Sequence, residues 1–547
     1  MKEKLDRLLL NGTIHTLKNE QDVVQALGIR DGVIIFTGSD QDALEKYQAQ
    51  EIIDLQGRTV VPGLGDSHMH FYAHCQTLTT VDLSDCRSKE EAIERLRKIA
   101  AYTPAGQWIR GSNFDQSKWS DVEDVLPTRH DLDRASACHP IVIKRACLHT
   151  AVANTAALEK AGIGRDFLAG PGGTIERETD GYPNGILREQ LTRFFDELIP
   201  DPMQDSAFKH QLMEEQLRYM ASLGMTSMHT YAADIWRYIE DTKDYRQLDA
   251  KGCLPLRVTV YLDKLEKLLE QNAAEKDAPA EKVRLGGYKL FCDGSLGSRS
   301  AALYAPYADD PFTDGIVVED VDSLREKMLQ ARKNGIQCAI HAIGDRGLDI
   351  VVTAIEQTLS ILHENGWTKK QLNEKPFRII HAQLATPELI ERMKHLPVIL
   401  DIQPVFFLTD MHWIGERLGP ERMRCGYLWN TYWQNGLLLT GGSDAPVERF
   451  APMPGIYSAV TRCDLEGKPI GGMQPEEKLS VYQALCLYSK NIAYATGMEQ
   501  YVGTLEQGKY ADLAVLDRDI FTIQPKEILQ IKVLRTMLAG KDTWIQQ

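Results

Sequence analysis

The 547-residue chain has no run of 18 apolar residues, so no segment reads as a membrane-spanning helix. The apolar run in its first residues, Leu8 to Leu10, is too short for the core of a signal peptide. Ten cysteines are scattered without a single C-x-x-C, which argues against a disulfide framework and for reduced thiols packed as small apolar side chains. No basic run offsets the formal charge of -15, so the footprint of a nucleic-acid binder is missing. A glycine-rich dinucleotide fingerprint is missing as well, which weakens the case for a doubly wound open sheet. These absences leave a cytoplasmic protein with a small-molecule substrate, and no nucleic acid or membrane as partner. Oligomeric state is not readable; a homodimer is compatible with the chain.

What is present is ordinary for a globular protein: 43% hydrophobic and 25% charged residues exclude disorder by composition. The length exceeds what one core fills, roughly 250–300 residues. The first sixty residues read as short strands, with Asp31-Gly32 between apolar runs as a hairpin signal. The tail, GTLEQGKYADLAVLD then VLRTMLAGKDTWIQQ, reads likewise. Two small β segments need partners, so residues 1–58 and 498–547 are expected to form one composite β-sandwich. Between them, 59–497 alternates. Apolar runs at 224–231, 254–262, 284–293, 337–345, 377–384, 398–407 and 437–446 are mostly separated by helical patterns. One such pattern, 320–334, sets Val321, Leu324, Met328 and Ala331 at helical spacing. With the strand around Val60 these make eight strands in β-then-α order, the pattern of an α/β (β/α)8 TIM-like barrel. The spacing breaks once, over about 135 residues from 71 to 205. A loop that long needs structure of its own. Because it follows a strand C-terminus, it is expected as an insertion over the active-site mouth.

The stretch GLGDSHMHF follows TVVP and sets His68 and His70 on one face of a strand. With 14 histidines in 547 residues, roughly a third of such a pair is expected by chance, so the pair alone carries little. It gains weight from company: Lys289 in GGYKLFCDG, His341 in AIHAIGD, His381 in IIHAQ and Asp444 in TGGSDAP. Each follows an apolar run, where a barrel strand delivers a residue to the catalytic face. Taken singly, such a histidine is more often a hydrogen-bonded structural residue, the aspartate a turn or cap, and the lysine an edge residue. Their joint placement at the ends of five strands is far harder to obtain without a shared site. Imidazole nitrogens and carboxylates are zinc-type ligands, and a cation there activates water and polarises a carbonyl. Asp444 is then placed to accept a proton and deliver it to a departing nitrogen. Near cations the pKa of Lys289 should fall, and its neutral amine can react with carbon dioxide to form a carbamate, an anionic donor able to bridge two metals.

These motifs together, with VVPGLGDSHMH, VGTLEQGKYADLAVLD, KLFCDGSLGSRSAAL, WIRGSNFDQSKW and CLHTAVANTAAL, resemble the amidohydrolase superfamily over nearly the whole chain. Within it they are similar to amidohydrolase family 3, the YtcJ-like group. The resemblance implies a TIM-like barrel with a composite β-sandwich and one or two divalent cations, zinc first among them. It assigns His68, His70, Lys289, His341, His381 and Asp444 as metal ligands, Lys289 as carboxylated and bridging, and Asp444 also as the base. It implies hydrolysis of an amide or related non-peptide C–N bond, with N-substituted formamide deformylation among the known activities. The same ligands would serve an ester or lactone hydrolase, and a non-catalytic binding protein on this fold is a further alternative. Trp119, His149, Asp293 and Arg299 are candidates for substrate binding, each with packing or pairing as the competing role. His229 is a weaker candidate, His74 is not expected to be a ligand, and DIQPVFF offers an apolar wall. Glu176, Asp180 and Glu189 read as surface or internal hydrogen bonding of the insertion.

Overall fold

A computed structural model describes residues 2–116, 119–121, 125–145, 150–169, 173–232, 242–274 and 281–546. The chain divides into two compact units, Met1–Ala73 with Glu214–Gln547, and His74–Met213.

In the larger unit eight strands form one sheet in chain order: β1 (Leu64–Met69), β2 (Met225–Tyr231), β3 (Arg257–Leu262), β4 (Val283–Phe291), β5 (Gln337–Ala342), β6 (Phe377–His381), β7 (Val398–Ile402) and β8 (Leu438–Gly441). Every neighbouring pair is parallel. Just past β8, the Asp444 N–H donates to the His68 carbonyl at 2.7 Å, which draws the last strand toward the first and nearly closes a barrel. All residues of β1, β3, β6 and β7 are buried. That is why β3, β6 and β7 read as largely apolar runs and not as alternating ones, whereas β1 buries Asp66, Ser67 and His68. The helix Val321–Lys333 covers one crossover. Asp320 caps it by accepting from the Ser323 N–H, and Leu324, Met328 and Ala331 are buried on one face.

Two expectations need correction. The run around Val60 is not a barrel strand: Thr59–Pro62 pairs with Thr13–His15 and with Leu513–Leu516 in a different sheet. The chain changes sheets at Gly63, where a Cβ would lie 2.1 Å from Thr226 Oγ1, and only then enters the barrel at Leu64. An unbroken apolar run hides this switch, since both sheets bury it. The strand expected over 398–407 stops at Ile402, and Pro404–Phe406 is a 3-10 turn. Proline has no N–H to donate to a ladder.

The terminal strands form a four-stranded sheet of Glu3–Leu10, Ala26–Arg30, Val33–Gly38 and Tyr47–Asp54. They also supply a six-stranded sheet in which Thr59–Pro62 lies between N-terminal and C-terminal strands. Asp31 and Gly32 both have positive φ (53° and 78°) between paired strands, as a tight hairpin turn requires. One apolar cluster contains Leu9, Leu27 and Ile29 from the first sheet and Val60, Leu513 and Met537 from the second. The sheets and the barrel thus fall within one compact unit.

The unit His74–Met213 has structure of its own, a six-stranded sheet between Val81 and Glu189 with apolar clusters centred on Ile141, Ile143 and Phe114 and on Val142, Leu187 and Phe195. Among the described residues no helix is long and apolar enough to cross a membrane.

Candidate metal centre

The C-terminal ends of β1, β4, β5 and β6 and the turn after β8 bring His68, His70, Lys289, His341, His381 and Asp444 to one cavity of about 580 Å³. Ring centroids of His68 lie 5.3 Å from His70 and 5.6 Å from His381, and His341 and His381 are 4.5 Å apart. Asp444 Oδ1 is 3.1 Å from the Nε2 atoms of both His68 and His70. Ligand atoms of His68, His70 and Asp444 all lie within 4.8 Å of one another. His381 and Asp444 adopt positive φ (75° and 57°), a costly conformation for residues other than glycine that tends to gather at functional sites.

The imidazoles are oriented from behind. His70 Nδ1 lies 2.7 Å from the Tyr231 carbonyl and His381 Nδ1 lies 2.6 Å from Gln403 Oε1. Each contact turns Nε2 toward the cavity as an acceptor. His341 is held the other way, with Nε2 3.1 Å from the Gly294 carbonyl and 3.4 Å from Asp293 Oδ1. Its Nδ1 is the nitrogen not engaged by these contacts.

Electrostatics favours the same protonation states. Burial, with the Lys289 ammonium second, holds His68 well below the ordinary histidine range. Burial, then the neighbouring His381, does the same to His341. Burial takes His381 down to about 4 and Lys289 down to about 7. Burial pushes Asp444 up, but the His68 and His70 imidazoles outweigh it and keep the carboxyl well below the usual carboxylate range. Burial thus disfavours the charged forms of His68, His341, His381 and Lys289, while Asp444 stays ionised. Among the described residues, His68 Nδ1 and Lys289 Nζ are buried without a hydrogen-bond partner, and His68 Nε2 and Asp444 Oδ1 face each other at 3.1 Å without forming a hydrogen bond. Such orphans are rare, and each carries a desolvation cost. A divalent cation would satisfy donor atoms of this kind, so the residues fit the group that the sequence motifs imply.

The remaining candidates separate. Asp293 lines the cavity. It accepts backbone N–H groups from Ala302, Ile343 and Gly344 at 2.8–3.0 Å while burial pushes its carboxyl up to about 7. It braces the loop after β5 and backs His341. Arg299 forms a two-point ion pair with Asp309 and does not line the cavity. Trp119 is buried in the core of the smaller unit, 5.8 Å from Phe114. His149 lies outside the described residues. His74 sits on the helix Phe71–Thr77. Glu176 and Asp180 pair with Arg188 and Arg165 within the insertion, and Glu189 ends its strand Pro183–Glu189 with φ 54°. His229 does not end β2. It is buried 3.0 Å from Arg378 Nη1, and Tyr231 ends the strand.

Several residues beneath the ligands escaped the sequence reading. Asp66 accepts the N–H groups of His68 and Ser443, which stitches β1 to the turn after β8. Gln403 fixes His381, and the fully buried pair Arg378–Asp401 fills the barrel below them. A charge inside the apolar strands FRIIH and VILDI was the available signal, since such residues are almost never fully buried unless paired.

A profile of the amidohydrolase family matches residues 51–543. YtcJ of Bacillus subtilis (strain 168) is 32% identical over 538 residues, covering 97% of this chain and 98% of its own. An N-substituted formamide deformylase of Arthrobacter pascens is 26% identical, covering 99% and 98%. The crystal structure of an uncharacterized metal-dependent hydrolase from Pyrococcus horikoshii OT3 superimposes with a TM-score of 0.75 at 29% identity, covering 95% of this chain and 99% of the other.

Proposed function

This chain belongs to the amidohydrolase family of metal-dependent hydrolases, and on that premise we propose that it cleaves the C–N bond of a small non-peptide amide carrying an apolar substituent. The observation that carries the reading is the convergence of six ligand-type side chains from five strands on one cavity. His68, His70, His341, His381 and Asp444 are the residues that would hold one or two divalent ions, with zinc the first candidate. A cation bound there supplies Lewis-acid polarisation of the amide carbonyl and activation of water.

The chain's own groups do the rest. Asp444, held ionised by its histidine neighbours, accepts the proton of the attacking water and passes it to the departing nitrogen. Lys289, brought to about 7 by burial, supplies enough neutral amine to add to carbon dioxide. The addition releases a proton and leaves a carbamate as a further oxygen donor. Asp293 and Gln403 hold His341 and His381 in the orientations that ligation needs. Tyr288, Phe291, Ile316, Val318 and Val447 line the cavity, which favours an uncharged apolar substituent on either side of the bond. Removal of the acyl group from an N-substituted formamide is one reaction of this class. The two sheets of the termini are read as one composite sandwich, because their strands share an apolar cluster.

Metal analysis of the purified protein, paired with hydrolysis of matched amides and esters, tests the reading. It requires divalent metal near stoichiometry, faster turnover of the amide and loss of activity in His70→Ala. A metal-free preparation of full activity overturns it, and a clear preference for the ester redirects it to an ester or lactone hydrolase.

A further inference from the structure

Directly below the candidate ligands, the barrel interior contains a saturated ion pair. Arg378 and Asp401 are both fully buried. The guanidinium donates from Nε to Asp401 Oδ2 at 2.6 Å and from Nη2 to Asp401 Oδ1 at 2.5 Å. Its other N–H groups reach the Ser67 carbonyl at 2.9 Å, the Tyr261 hydroxyl at 2.7 Å and His229 Nδ1 at 3.0 Å. Each of the five donors therefore has its own acceptor. Thr440 donates its hydroxyl to Asp401. The network spans β1, β2, β3, β6, β7 and β8.

Stability alone does not explain it. Well-packed apolar residues of similar volume are commonly as stable as a buried ion pair, or more so. What the network does have is position. Ser67 immediately precedes His68, Arg378 lies three residues before His381, and Thr440 lies four before Asp444. Gln403 donates to the Asp401 carbonyl at 2.8 Å with one end and meets His381 Nδ1 with the other. An apolar layer would leave the placement of these strand ends to the backbone ladder alone. Directional bonds from a single planar group do not.

We propose that Arg378, locked to Asp401, is a positioning residue that sets the relative register of the strands carrying His68, His381 and Asp444, and thereby how tightly the centre holds a divalent ion. The proposal rests on the reading of that centre as a metal site.

The test is zinc affinity of the full-length protein, measured by competition with a chromogenic chelator alongside thermal unfolding. Arg378→Met/Asp401→Leu removes both charges together, so neither is left unpaired, although His229 Nδ1 and the Thr440 hydroxyl lose the partners named above, and Thr440→Val removes one bond to Asp401 at nearly constant shape. The double variant is expected to unfold cooperatively near the wild-type temperature yet bind zinc about 10–100-fold more weakly, as supporting residues around metal ligands do. Thr440→Val is expected to lose about tenfold. A folded double variant with wild-type zinc affinity overturns the proposal, whatever its melting temperature. If the double variant does not fold, unchanged affinity in Thr440→Val overturns it instead. A wild-type protein that binds no divalent metal sinks the metal-centre reading and this proposal together, an outcome distinct from equal binding by wild type and variants.

Discussion

His68 and Asp444 meet twice across the seam of the barrel: the Asp444 N–H donates to the His68 carbonyl at 2.7 Å, and Asp444 Oδ1 lies 3.1 Å from His68 Nε2. The same contact that brings β8 to β1 assembles half of the candidate ligand set. Closure and the gathering of these side chains are therefore one structural event, and what disturbs the seam disturbs the site.

Gly442 sits at that seam. A Cβ there would lie 2.7 Å from the His68 backbone N and 3.0 Å from its carbonyl oxygen, and backbone atoms cannot swing aside. Gly442→Ala is expected to destabilise the protein by about 1–3 kcal/mol, the usual range for overpacking, and to lower bound metal at the same time. Thermal unfolding and metal content measured on one preparation check this. A stable variant with full metal content would show that the seam is looser than its geometry.

The His381–Gln403 contact makes a sharper case, because Gln403 meets the imidazole directly. Gln403→Leu removes the partner of His381 Nδ1 and frees the ring to present either nitrogen. Metal affinity should fall about 10–100-fold. Chelator competition reads the effect directly, and His381→Ala gives the limit for complete loss of the ligand.

Lys289 leads to a dependence on carbon dioxide. Its amine is buried without a hydrogen-bond partner and has a pKa brought down to about 7 by burial, so a neutral fraction exists near neutrality. Metal reconstitution in buffer purged of carbon dioxide should be slow or incomplete, and added bicarbonate should restore activity. Lys289→Met should not respond to bicarbonate. Equal recovery with and without bicarbonate would leave the lysine as an uncarboxylated neighbour of the metal.

Much of this is legible in the sequence. Seven of the eight apolar runs marked barrel strands because parallel strands are buried on both faces, and Lys289, His341, His381 and Asp444 stood out because each lay at the end of such a run. What stayed hidden depended on contacts distant in sequence. Arg378 was visible as a charge inside FRIIH, but its partner Asp401 is 23 residues away and no local pattern joins them. The sheet change at Gly63 was invisible because TVVPGLG is buried throughout, in two different sheets. Arg299 looked available because it follows Asp293 in the glycine-rich loop after β4. Its chain turns at φ 55° and pairs with Asp309, and only the fold reveals that.

Asp410 predicts how stability varies with pH. It is buried and accepts from the Tyr427 hydroxyl at 2.5 Å, and burial pushes its carboxyl up to about 7. The folded state thus keeps a proton that the unfolded chain releases at an ordinary carboxylate pKa. The stabilisation is complete below the unfolded value of 3.8 and is lost as pH rises through about 7. Its full size is on the order of a few kcal/mol. Asp410→Asn has no proton to lose, so the stability of wild type relative to the variant should decline from pH 4 to 7 and level off above, at roughly the amount just given. Denaturant unfolding at a series of pH values measures the difference, and a constant offset across that range would show that the carboxyl is ionised throughout.

The walls of the cavity lead to the last prediction, about substrate. Ile316, Val318 and Val447 are each more than half exposed, at 55%, 53% and 54%, although they line the same cavity as the ligands. Apolar side chains left open beside a reactive centre gain most when a ligand covers them. Desolvating a Val-sized surface contributes about 1–2 kcal/mol, so Val318→Asp should raise KM for an amide with an aromatic or alkyl substituent by roughly tenfold. Turnover of the smallest amide of the series, which does not reach that wall, should be nearly unchanged. A parallel fall in both substrates would place Val318 in the architecture of the centre. A change in neither would mean that the substituent points away from it, toward Tyr288 and Phe291.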